Sequence, residues 1–163
     1  MIPETTTRLP ALLDRLVDES PDHREESLRR RTVTPEDYRA SVLRDLRWLL
    51  NSPCHLQGEA ICDFPHVATS VLNYGTRNMA GVTTDNLDSG DMEKHIREAI
   101  IAFEPRIMAD SIQVRMVDTR IDEPGRIAFE IKGHLWALPH PERILFRTDI
   151  DLESGACEIN SVT

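Results

Sequence analysis

The sequence predicts an α+β domain in which N-terminal helices pack on a C-terminal antiparallel or mixed sheet of three to four strands. Three observations predict it. Apolar residues recur at helical spacing before Arg106, the apolar period falls to two after it, and the alternating runs are separated by short turn sequences.

Leu9, Leu12, Leu13, Leu16 and Val17 share one helical face, so residues 8–18 read as a short amphipathic helix whose stripe suits either a core or a docking surface. Residues 19–33 are charged and aperiodic, ending in Arg29-Arg30-Arg31, and read as an extended arm. The helix and arm, 1–33, are expected to stand apart from a single α+β domain at 34–163. Thr34-Pro35-Glu36-Asp37 supplies a capping hydroxyl, a proline at the first helical position and acids at the positive end of the dipole. The helix that follows carries Tyr38, Val42, Leu46 and Leu49 as its apolar stripe, turns Arg39, Arg44, Asp45 and Arg47 outward, and stops at Asn51-Ser52-Pro53.

Pro65 opens a run of two helical turns through Val67, Ala68, Val71 and Leu72, and Gly75 suits the left-handed residue after a helix end. The turn-rich stretch at 80–90 precedes a helix with Met92, Ile96, Ala99, Ile100 and Phe103 on one face. Strands are predicted around Ile112, Val114 and Met116, around Ile127, Phe129, Ile131, Gly133 and Leu135, and around Ile144, Phe146, Thr148, Ile150 and Leu152. Cys157, Ile159 and Ser161 add a short fourth. Asp122-Glu123-Pro124-Gly125, Pro139-His140-Pro141 and Glu153-Ser154-Gly155 are the turns.

The formal net charge of -9 repels a phosphate backbone, and three consecutive arginines do not offset 28 carboxylates, so no nucleic-acid partner is expected. Seventeen of the 19 basic residues are arginine, which favours planar contacts to carboxylates. Met1-Ile2-Pro3-Glu4-Thr5 has no basic start or apolar run, and no stretch approaches the ~18 apolar residues of a membrane span. With Cys54, Cys62 and Cys157 odd in number and unpaired in pattern, a soluble protein of the reducing cytoplasm is expected.

Catalytic constellations are thin. Cys54, His55, Cys62 and His66 are zinc-type ligands, but seven residues separate the cysteines instead of the two to four of common structural sites. Cys54 and Ser70 lack a nucleophile elbow or a placeable base, and the seven glycines form no phosphate loop. No metal and no cofactor is expected. A glycosidase needs a neutral carboxylic acid and a second carboxylate across the cleavage site. Glu104 could be the acid, with Asp88, Asp91, Glu93 or Asp110 opposite, yet the nearby Arg106 favours its ionised form.

Glu104-Pro105-Arg106 is the most informative motif. Proline removes an amide hydrogen and restricts the residue before it, so Glu104 sits at the helix exit, where its charge meets the negative end of the dipole. Arg106 is the local answer to that charge. The pair suits a structural clamp, a docking point or half of a catalytic pair.

In order along the chain, Arg44-Asp45-Leu46-Arg47-Trp48-Leu49-Leu50-Asn51, Ser70-Val71-Leu72-Asn73-Tyr74-Gly75 and Phe103-Glu104-Pro105-Arg106-Ile107 resemble the TssE family of type VI secretion baseplate subunits. That family is similar to the lysozyme-like wedge protein of contractile phage tails. Phe129–Leu135 and Phe146–Asp151 fall where the family has its sheet, and the resemblance covers about residues 9–160. The chain departs after Gly75, where Thr76-Arg77-Asn78-Met79 replaces a Leu-Pro-Asp type of continuation. The resemblance implies a cytoplasmic, non-enzymatic wedge subunit working beside TssF, TssG and TssK, under a sheath of TssB and TssC. It implies that Glu104, Pro105 and Arg106 fasten the subunit to the helical core bundle of its wedge partners, and that strand edges of the sheet meet the first sheath ring. The runner-up is a lysozyme-like glycoside hydrolase. Replacing Arg106 with Glu is expected to break partner capture while leaving the isolated fold nearly intact.

Overall fold

The computed structural model describes residues 10–17, 22, 33–56, 63–82, 88–117, 125–137 and 140–162. The arginine run at 29–31, most of the arm at 19–33, Cys62, residues 83–87 and the turn at 122–124 lie outside them.

Thr34 begins the first long helix as its sequence dictates: its hydroxyl accepts from the Asp37 amide at 3.1 Å, and Pro35 occupies the first helical position. This helix, α2 (Pro35–Leu50), buries Tyr38, Val42, Leu46, Leu49 and Leu50. Before it lies α1 (Leu12–Leu16), five residues long and without a buried side chain; Leu12 is 71% and Leu16 73% exposed. Its apolar stripe is surface, and Asp14 is tied to Arg44 of α2. That ion pair leads the causes that raise the Arg44 pKa, with burial opposing and Asp45 adding to it.

The two helical turns expected from Pro65 are broken into α3 (Pro65–Ala68) and a 3-10 turn (Val71–Asn73). Ser70 causes the break: its hydroxyl accepts from the Leu72 amide at 3.3 Å, a local bond that competes with helix propagation. Val71 is 86% and Leu72 69% exposed, so this apolar run does not reach the core. The second long helix, α4 (Ser89–Phe103), starts where Asp88 accepts from the Gly90 and Asp91 amides and buries Met92, Ile96, Ala99 and Ile100.

Strands β1 (Gln113–Val117), β2 (Arg126–Leu135), β3 (Glu142–Asp151) and β4 (Cys157–Ser161) form one sheet in the order β1-β2-β3-β4, antiparallel at every pairing. Of the arrangements left open by the sequence, the four-stranded antiparallel one is present. Ile127, Phe129, Ile131, Leu135, Ile144, Phe146, Thr148, Ile150, Cys157 and Ile159 are buried and join the stripes of α2 and α4 in one hydrophobic cluster, apart from Thr148, whose hydroxyl donates to the Phe129 carbonyl. A single face of α2 and α4 therefore closes on a single face of the sheet.

Burial pushes the Cys157 thiol up to about 12 from an ordinary 9.0, with the charges of Asp149 and Glu158 acting in the same direction. The folded state keeps this proton above the pH at which the unfolded chain loses it. The stabilising contribution is thus complete below pH 9 and is lost as pH rises toward 12, at roughly 1.4 kcal/mol per pH unit. Urea denaturation between pH 9 and 10 should show stability falling by about 1 kcal/mol more in the wild type than in Cys157→Ala; equal slopes would refute the assignment.

Candidate partner-docking site

Glu104 is the residue at which α4 ends. Its amide donates to the Ile100 carbonyl at 2.9 Å, and its side chain is only 4% exposed although the helix dipole opposes its charge. Arg106 answers it twice: Nε donates to Oε1 at 2.7 Å and Nη2 to Oε2 at 2.5 Å, the fork-on-carboxylate geometry that a lysine cannot supply. The Arg106 amide adds a bond to Oε1 at 3.1 Å, closing the corner that Pro105 begins.

The same guanidinium reaches across to α2. Nη2 donates to Asp45 Oδ2 at 2.5 Å and Nη1 to Ser41 Oγ at 3.2 Å, so the motif is a four-residue polar network fastening the end of α4 to the flank of α2. Burial lowers the Arg106 pKa, but the bonds and charges of Glu104 and then Asp45 outweigh it and leave the pKa raised. Arg106 therefore stays charged throughout the pH range of proteins. Tyr74 lies near this site, its ring edge-on to Phe103 at 5.3 Å; burial raises its pKa, with Asp45 and Glu104 adding to the effect.

Main-chain bonds continue the corner into the sheet. Ile107 bridges Leu135, Met108 N donates to the His134 carbonyl at 2.9 Å, and Trp136 N donates to the Arg106 carbonyl at 2.8 Å. Gly133 makes room for this approach, since a Cβ there would stand 2.9 Å from Ile107 Cγ2. What the corner shows to solvent is Pro105 and the ring of Trp136, 61% exposed, beside a part-buried Arg106.

Glu104, Pro105 and Arg106 were singled out from the sequence; Asp45 was placed among the outward-facing residues of α2, and Ser41 was not singled out at all. The missed signal is their i, i+4 spacing along the border of the buried stripe, where two short polar side chains can meet a cation from another element. The expectation that Arg106→Glu spares the fold is corrected by the same geometry. A third carboxylate beside Glu104 and Asp45 would leave all three without their cation.

Three of the four proposed opposite carboxylates have structural occupations, and the fourth, Asp110, is exposed. Asp88 caps α4, Asp91 meets Arg77 and His95, and Glu93 accepts from the Met116 amide. Among the described residues no group of three or more His, Cys, Asp or Glu could hold a metal ion, and Cys62 lies outside them. Nor is any described helix long and apolar enough to cross a membrane.

A family model described as baseplate wedge protein gp25 matches residues 36–140, more than half of the chain. No curated protein and no solved structure matches it. The matched segment runs from the first turn of α2 through β2 and contains Ser41, Asp45, Glu104, Pro105, Arg106 and Trp136.

Proposed function

Because the chain belongs to the baseplate wedge protein gp25 family, a family of structural parts that work among other baseplate components, we propose that it is the TssE-type wedge subunit of a type VI secretion baseplate. Residues 34–163 are the wedge domain. The subunit docks on TssF and TssG beside TssK and starts the TssB/TssC sheath from its C-terminal sheet. The family match over both the α2 flank and the Glu-Pro-Arg corner is the observation that carries this reading. The corner's geometry supports a division of labour: the Glu104–Arg106–Asp45 network holds the shape, and Pro105 with the exposed edge of Arg106 meets the partner helices.

Pro105→Glu tests the docking role while keeping every member of the ion network. It is expected to leave the unfolding midpoint close to wild type and to reduce co-purification with TssF and TssG at least tenfold, as desolvating an unpaired charge at an interface core costs more than about 1.4 kcal/mol. Undiminished capture would remove this corner from the interface.

The role is non-enzymatic. Glu104 is bonded to the Arg106 guanidinium and is 3% exposed, so it offers no access to a saccharide. Purified protein should not clear peptidoglycan, and Glu104→Gln should change nothing in that assay. Clearing that disappears on this substitution would reinstate the lysozyme-like hydrolase.

A further inference from the structure

Both outer edges of the sheet are partly closed by side chains from α4 and from the C-terminal end of α2. On β1, Glu93 Oε1 accepts from the Met116 amide at 2.7 Å and Arg97 Nε donates to the Ile112 carbonyl at 3.1 Å. On β4 the closure imitates a strand. The Asn51 amide group accepts from Cys157 N at 2.9 Å through Oδ1 and donates to the Cys157 carbonyl at 2.8 Å through Nδ2, the two-bond exchange made by facing residues of an antiparallel ladder. Two residues on, Arg47 takes the Ile159 carbonyl with both Nε, at 3.1 Å, and Nη2, at 2.7 Å. The register of β4 on β3, with Val162 N donating to the Leu145 carbonyl, turns Cys157, Ile159 and Ser161 outward together. Among the described residues, Ser161 has no side chain on its outward main-chain groups.

We infer that the outward edge of β4 is the strand-docking edge and that Arg47 and Asn51 are a latch which keeps it shut until an extended segment of a sheath subunit displaces them. The inference rests on the sheath-starting role proposed above and adds which edge is used and what controls it. An unpaired edge invites pairing with any extended chain, including a second copy of the same protein. Side chains that satisfy the edge main-chain groups remove that invitation, yet both latch residues are exposed at the end of α2 and can swing away without opening the core. The free groups at Ser161 give an arriving strand its first bonds, after which each further pair replaces one latch contact with a main-chain bond. Arg47, once released, is an unpaired guanidinium beside the edge and favours an acid on the incoming strand.

Full-length wild type, Arg47→Ala, Asn51→Ala and, for the other edge, Arg97→Ala would be compared by amide hydrogen exchange and by the rate of association with purified TssB/TssC. Arg47→Ala guards against the case in which Asn51→Ala perturbs the end of α2, where the Asn51 side chain also meets the Arg47 carbonyl. Asn51→Ala should raise exchange at the Cys157 amide at least tenfold while the Val162 amide, bonded to β3, stays at the wild-type rate. Both β4 variants should associate with sheath subunits at least fivefold faster than wild type, and Arg97→Ala at the wild-type rate. Unchanged exchange at Cys157 overturns the latch. Raised exchange with unchanged association overturns its control of docking, and acceleration by Arg97→Ala instead assigns docking to β1. Raised exchange with no association in any of the four proteins overturns the sheath-starting role itself, a failure distinguishable from that of the latch.

Discussion

Arg106→Met is expected to lower the unfolding free energy by about 3 kcal/mol, the scale for removing one partner of a mostly buried ion pair. The loss arises less from missing bonds than from what remains. Glu104, with its side chain 4% exposed at the negative end of α4, would keep a charge with no cation within the fold, and Asp45 would face it across the vacated space. Asp45 is 24% exposed and can turn to water, so Glu104 dominates the cost. Adding Glu104→Gln to Arg106→Met removes that stranded charge, and the double variant should be more stable than Arg106→Met alone by about 1–2 kcal/mol. Equilibrium urea unfolding of the four proteins of this cycle reads the coupling directly. A single-variant cost under about 1 kcal/mol, or a double variant no better than Arg106→Met, would show that the network does not clamp α4 to α2.

The distinction bears on function, because a motif that holds its own fold can be lost from a complex simply by unfolding. Loss of partner capture in Arg106 variants therefore does not identify a contact, whereas loss in Pro105→Glu at unchanged stability does. The fold rests on the Glu104–Arg106–Asp45 network, so the proposed docking role is tested only by a substitution that keeps that network.

The strands were legible because a period of two with apolar residues on one face has few other meanings, and Phe129, Ile131, Phe146 and Ile150 all lie in the core. The start of α2 was legible because Thr34 and Pro35 act through local geometry alone. Apolar spacing misled at Val71 and Leu72, where the Ser70 hydroxyl broke the helix and left both residues in solvent. The candidate site was half legible. Glu104 and Arg106 are two positions apart and announce each other, while Ser41 and Asp45 meet Arg106 only because the fold lays α2 against the end of α4 across more than sixty residues. Closure of the β4 edge by Arg47 and Asn51 was invisible for the same reason, as both partners lie over a hundred residues away.

Gly75→Ala should be the most damaging glycine substitution, and its physical cause differs from the one its sequence position suggests. A glycine after a helical run signals a left-handed cap, for which alanine costs about 1 kcal/mol. Gly75 has φ +128°, beyond the left-handed well, and a Cβ there would stand 2.2 Å from the Ser52 carbonyl oxygen and 2.9 Å from Cys54 N. Those are backbone atoms, held in place by the bridge between Pro53 and Thr76, with Thr76 N donating to Ser52 O at 2.8 Å and Cys54 N to Thr76 O at 2.9 Å. Relief requires breaking that bridge, which anchors the chain just past Asn51. Gly81, with φ +79° and nothing within 4 Å of a Cβ, isolates the conformational penalty. Gly81→Ala should cost about 1 kcal/mol and Gly75→Ala about 3 kcal/mol or more, the difference being steric. Because the bridge fixes the segment that follows Asn51, Gly75→Ala should also raise amide exchange at Cys157, whereas Gly81→Ala should not. Equal stability costs for the two variants would mean that the segment at 52–54 yields easily and that the support behind the β4 edge lies elsewhere.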